Sequence, residues 1–237
     1  MKIPFIGGGY LGRSLNIDSQ RCVNLYPVLD KEGGKPLTLD GTPGLSEQFN
    51  MTTEMSYSGT LYPAVSADDG MAYNNTLFNS NWNFFDIGNG SLDQYYAFIR
   101  FPSAQIDPSV PAAAFTSAFL RLTAYDTRTP NITLYIYFND SDNAVAPTSY
   151  AGYQALYKTT AKATWSITQQ WNDGTQYDSA DLSSAIAEVV ARPGWTKGNA
   201  LMVMIEWSGT GDDLRYVSSI DYLSGAEKPE LHIAYSI

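Results

Sequence analysis

Cysteine and histidine are almost missing from this chain: Cys22 is the single thiol and His232 the single imidazole among 237 residues. One thiol cannot close an internal disulfide, and one cysteine with one histidine cannot supply a Cys/His zinc cluster. Charge is scarce as well. Charged residues make up 16% of the chain and lean acidic, for a net charge of -10 at pH 7 with no basic stripe. Such a surface repels phosphate, so nucleic acid is not an expected partner. No apolar run approaches the roughly 20 residues that span a bilayer, so no membrane partner is expected either. The first residues show no basic stretch followed by an apolar one. The expectation is a chain without a secretory signal, made in a cytoplasm.

What the chain does have is aromatic surface and turns. Aromatics reach 14%, with 17 Tyr and 5 Trp, in a chain that is 44% hydrophobic. Broad amphipathic rings suit a half-buried pleated surface, so this composition reads as all-β. Five segments carry strand patterning: 95–101, 117–125, 133–138, 200–207 and 230–237. In the second, Ala118, Leu120, Leu122 and Ala124 share one face, with Phe119, Arg121 and Thr123 on the other. In the last, Leu231, Ile233, Tyr235 and Ile237 face away from His232. Residues 200–207 are nearly continuous in apolar character, as a central strand should be. Turn signals separate these runs, which argues for an antiparallel β-sandwich. One helix is expected where Leu182, Ile186, Val189 and Val190 form a stripe, capped by Asp181 or Ser179 and stopped by Pro193.

The first 50 residues have another texture. Short apolar islands (KIPFI, CVNLYP, PLTL) alternate with GGGYLG, DKEGGK and DGTPG, and cannot bury a core. Residues 1–50 therefore read as an extended arm, or as short strands that complete a partner's surface, with 51–59 a join and 60–237 the sandwich. Gly7, Gly9 and Gly12 match the G-x-G-x-x-G spacing of a dinucleotide cradle. That motif needs a strand before it, a helix after it and a βαβ frame. Pro4 interrupts the first, Asn16, Asp18, Ser19 and Asn24 argue against the second, and no βα alternation follows. No cofactor is expected. The glycines read as a flexible joint, free to take positive φ and to let backbone approach a partner closely.

Two resemblances follow from longer strings. PFIGGGYLGRSLNIDSQRCVNLYP followed by GTPGL resembles the N-terminal segment of tail hub (nozzle, or packaged-DNA stabilisation) proteins of short-tailed bacteriophages. The matching positions run from Pro4 to Pro27 and from Gly41 to Leu45, about the first 45 residues. That family continues into a large propeller-like body, for which this chain is too short. From about residue 60 the chain resembles DNRLRE-type β-jelly-roll modules, through YYAFIRFPSAQIDPSVPAAAFTSAFLRLTAYDT, QYDSADLSSAIAEVVARPGWTKGNALMVMI and YVSSIDYLSGAEKPELHIAY. The resemblances imply a jelly-roll sandwich behind an anchoring arm. They also imply a non-enzymatic virion protein of the neck or tail, made in a host bacterium and contacting other virion proteins, with homo-oligomerisation in the particle. Arg13, Arg21, Asn24, Tyr26 and Pro27 are the arm residues expected to contact partners, arginine being suited to bidentate carboxylate pairing. A head decoration protein and a host-glycan adhesion module are the alternatives.

Side chains capable of chemistry are few. A Ser-His-Asp triad would have to use His232, which reads as an exposed strand histidine. Paired carboxylates occur at Asp68-Asp69, Asp140/Asp142 and Asp212-Asp213, all in turn-like surroundings where acids usually just solvate. Asn139 to Asn143 has the oxygen density that calcium favours, without the glycine and distal glutamate of an EF loop. A hairpin turn is expected there, with calcium at Asp140 and Asp142 as the alternative. Trp165 and Trp171, flanking SITQQ, are the expected sugar-stacking pair if a glycan is bound.

Overall fold

The computed structural model describes residues 14–18, 21–24, 56–73, 77–90, 93–129, 131–209 and 214–237. The chain divides between Ser56 and Tyr57 into two units. In the first, β1 (Ser14–Asp18) and β2 (Arg21–Asn24) pair antiparallel, Leu15 opposite Val23 and Asn16 opposite Cys22, with an irregularity between Asn16 and Asp18. The glycine joint at 7–12 lies outside the described residues.

The second unit is an antiparallel sandwich with jelly-roll-like packing. Its smaller sheet runs β11 (Gln176–Asp178), β8 (Phe115–Thr123), β14 (Glu230–Ser236) and β3 (Ser56–Leu61). The first strand thus takes in residues 56–59 of the expected join. The larger sheet runs β10 (Ala163–Ile167), β9 (Ile132–Phe138), β12 (Leu201–Trp207), β7 (Asp93–Phe101), β4 (Asp69–Tyr73) and β5 (Leu77–Asn79). A branch leaves β7 through the hairpin to β6 (Phe84–Gly90), which pairs in turn with β13 (Leu214–Ser218).

Alternation places the core between the sheets. Val203 of β12 lies opposite Ile99 of β7 and Phe138 of β9, and all three are fully buried. From the other sheet Leu120 meets Leu231 and Ala118 meets Ile233, closing a single core that draws on both layers. The continuous apolar run in β12 has its reason here. Leu201, Val203 and Ile205 face the core, while Met202 and Met204 lie on the opposite side under a second cluster with Ala72, Phe98 and Tyr153. Tyr153 comes from α1 (Tyr150–Gln154), a short helix absent from the sequence reading, whose Ser149 cap accepts the Gly152 N–H at 3.0 Å.

The expected helix is α2 (Ser183–Val190), which buries Ile186, Val189 and Val190, with Leu182 buried at its cap position. Its cap differs in detail. Leu182 holds the cap position, and Asp181, one residue earlier, accepts the Ser183 N–H at 3.3 Å. Ser179 serves the sheet instead, accepting the Leu120 N–H at 3.0 Å. Pro193 follows the last turn, where Trp195 is buried and donates its indole N–H to the Ile106 carbonyl at 3.1 Å.

Candidate functional site

The acids expected to solvate as loops are buried at Asp68 and Asp69, 2% and 0% exposed. Asp68 closes a 3-10 turn (Ser66–Asp68). One carboxylate oxygen accepts the Ala64 and Val65 N–H groups at 3.0 and 3.2 Å, and the other meets Arg100 Nη1 at 2.8 Å. Arg100 also donates from Nε to the Ala144 carbonyl at 2.8 Å, so it is anchored at both ends of its fork. Asp69 begins β4 and accepts the Ile220 N–H at 2.8 Å. Burial, with the charges of Asp221 and Asp68, pushes its carboxyl up to about 7 against the lowering effect of that N–H. Asp221 accepts a hydrogen bond from the Ser66 hydroxyl at 2.6 Å, and Ser219 donates to the Trp82 carbonyl at 2.6 Å. The acids here tie three chain segments together. The expectation of solvated loop acids fails at this pair because hydrogen bonds and an arginine offset the cost of burying them.

At Asp140 and Asp142 the oxygen-rich stretch is committed to its own chain. Arg192 pairs with Asp140 through Nη1 and with Asp142 through Nε, the latter at 2.7 Å. Asn139 donates to the Tyr157 carbonyl and Asn143 accepts the Ala200 N–H, each at 2.8 Å. The guanidinium gives both carboxylates a counter-charge. Among the described residues no group of three or more His, Cys, Asp or Glu side chains is placed to hold a metal ion. Asp212 and Asp213 lie outside the described residues.

His232 is not the exposed strand residue expected. It stacks on Phe119 at 4.7 Å, with its Nε2 2.6 Å from Glu230 and its Nδ1 3.2 Å from the Thr60 hydroxyl. The connectivity carboxylate–imidazole–hydroxyl has the order of a triad. It lies across the strand faces of β14 and β3, whose N–H groups run in the plane of the sheet.

Trp165 and Trp171 do not form a stacking platform. They are 7% and 0% exposed and both belong to the core. β10 alternates with Thr164 and Ser166 outward, which turns Trp165 in. Reciprocal backbone hydrogen bonds to Arg128 pin Trp171, whose ring stacks on Tyr177 at 4.6 Å. Tyr157 and Tyr62 are exposed singly, and a group of five rings reaching solvent lies on the outer side of β6 and β13, from parts of the chain too distant for sequence spacing to connect.

Of the arm residues, Arg21 and Asn24 fall in β2, opposite Asp18 and Ser14. Arg13, Tyr26 and Pro27 lie outside the described residues. No protein-family model matches the chain, and no curated protein matches it.

Proposed function

We propose that this chain is a bacteriophage virion protein whose role is assembly: residues 1–50 anchor it to neighbouring subunits, most directly in the neck or tail, and the sandwich packs beside them. The observation that carries this reading is the ordered string from Pro4 to Pro27 followed by Gly41–Leu45, which resembles the leading segment of tail hub proteins. Two physical features support it. Among the described residues, the core of the sandwich is drawn from the unit 57–236. Among the described residues β1 and β2 pair only with each other. A two-stranded hairpin is marginally stable at best in water and gains from strands supplied by a partner. Among the described candidates, Asp68 is ion-paired with Arg100, Asp140 and Asp142 with Arg192, and His232 is hydrogen-bonded to Glu230 and Thr60.

Reconstitution tests the reading. Particles assembled without the protein should take up the full chain and fail to take up a chain beginning at Tyr57. Equal uptake of both would remove the anchoring role of the first 50 residues. A density map of the complete particle would separate the neck or tail position from a head decoration.

A further inference from the structure

A continuous aromatic surface lies on the side of β6 and β13 that faces away from the core. Phe84 is opposite Ser218, and Asp86 is opposite Tyr216. Phe84 and Tyr216 therefore project from the same side of the sheet, while Phe85, Ile87 and Val217 fill the core. Phe84 stacks on Tyr125 at 4.7 Å and meets the edge of Tyr216 at 5.4 Å; Tyr125 meets Tyr222 at 4.9 Å, and Trp82 lies 6.0 Å from Phe84. Trp82 is 43% exposed, and the other four rings are half-buried. Their positions are fixed by the backbone. Asn79 Oδ1 accepts the Asn81 and Trp82 N–H groups at 2.9 and 3.0 Å, and the Tyr125 N–H bonds the Tyr216 carbonyl at 2.9 Å.

Carboxylates outnumber cations around these rings. Asp126 lies beside Arg128 with a half-exposed side chain, and Glu227 accepts the Ser218 hydroxyl proton at 2.9 Å. Asp173 is exposed, and its N–H donates to the Thr127 hydroxyl at 3.2 Å. Desolvation first, and then the Glu227 and Asp173 charges, hold the Tyr222 hydroxyl above its ordinary range. Behind them Asp86 is 6% exposed. Two cations lie nearby: Arg128, whose guanidinium lies over Tyr216 at 4.3 Å and 3.4 Å from Asp126, and Lys228, whose ammonium turns to the Tyr62 ring at 4.8 Å.

Negatively polarised ring faces bordered by surplus carboxylates attract a flat or compact cation and disfavour an anion. Arg128 over Tyr216 shows that mode of contact already in use. We propose that this face is a docking surface for an arginine- or lysine-bearing segment of a partner protein, whose cationic side chain stacks on the Trp82–Phe84–Tyr125 rings with Asp126 and Asp173 as counter-charges. The inference goes beyond the assembly role and stands or falls independently of it, because every residue used belongs to the sandwich.

The probe is a synthetic Arg-Gly-Arg-Gly-Arg amide titrated into the full chain by calorimetry, with Gln-Gly-Gln-Gly-Gln amide and a neutral oligosaccharide as parallel arms. The arginine peptide should bind saturably, weaken as salt rises, and shift the Trp82 indole signal in a proton–nitrogen NMR spectrum. Asp173→Asn and Tyr222→Ala should each weaken it at least fivefold, and Thr164→Ala on β10 should leave it unchanged. Near-UV circular dichroism checks that each variant keeps its fold, and the exposed Asp173→Asn carries the test if Tyr222→Ala does not. Absence of saturable binding would overturn the proposal. So would equal affinity for the glutamine peptide, insensitivity to Asp173→Asn, or binding of the oligosaccharide in place of the arginine peptide.

Discussion

Trp171 has no exposed surface and packs between Trp165, at 5.5 Å, and the stacked ring of Tyr177. Trp171→Ala leaves a cavity that backbone pinned to Arg128 cannot close, and should cost about 3–5 kcal/mol. The urea midpoint should fall with little change in slope. A second expectation concerns pH. Burial holds Asp69 and Asp86 both up to about 7, with Arg128 opposing the rise at Asp86 and the Ile220 N–H opposing it at Asp69. A carboxyl with a raised folded-state pKa favours the folded state most below its unfolded value of about 4, and that contribution is lost as pH rises through about 7. The sandwich should therefore melt lower at pH 8 than these groups allow at pH 5. Asp86→Asn should recover about 1–3 kcal/mol at pH 8 and little at pH 5. A melting temperature for Asp86→Asn that tracks the parent across this range would contradict the assignment.

At the scale of elements, β4 shows why part of the sheet was hidden in the sequence. It reads DGMAY, opening on a pair that signals a turn, yet it is a paired strand of the larger sheet, between β7 and the edge strand β5. Gly70 sits at φ +156°, where an added Cβ would run into the Asn79 carbonyl oxygen and lie 2.8 Å from Ser80 Cα. Gly70→Ala should therefore push β5 away and cost about 1–3 kcal/mol, read as a lower melting temperature and as faster amide exchange in Leu77–Asn79. Strands with five or more apolar or alternating positions, such as β8, β9, β12 and β14, were legible because periodicity had room to appear. β6 ends in Gly-Asn-Gly, and β5 and β11 have three residues each. Their strand state comes from pairing with neighbours, which local pattern does not record. The same limit applied to side chains. Nothing local distinguishes Asp68 from a solvated acid before Arg100 is placed beside it, nor shows that Trp171 turns inward. Tyr125, Tyr216 and Tyr222 become one surface only when the branch of β6 and β13 folds against the loop after β8.

For the molecule as a whole, the break between Ser56 and Tyr57 separates a unit that closes its own core from one in which the described strands form a single hairpin. A chain beginning at Tyr57 should consequently unfold cooperatively with a urea midpoint close to that of the full protein. On the proposed reading, the first 50 residues join this chain to others, like copies included. Sedimentation equilibrium of the full chain beside the chain beginning at Tyr57, over a hundredfold range of concentration, tests it most directly. The full chain should associate as concentration rises, and the shortened chain should remain a folded monomer. Association of both to the same extent, or monomers throughout for both, would contradict it.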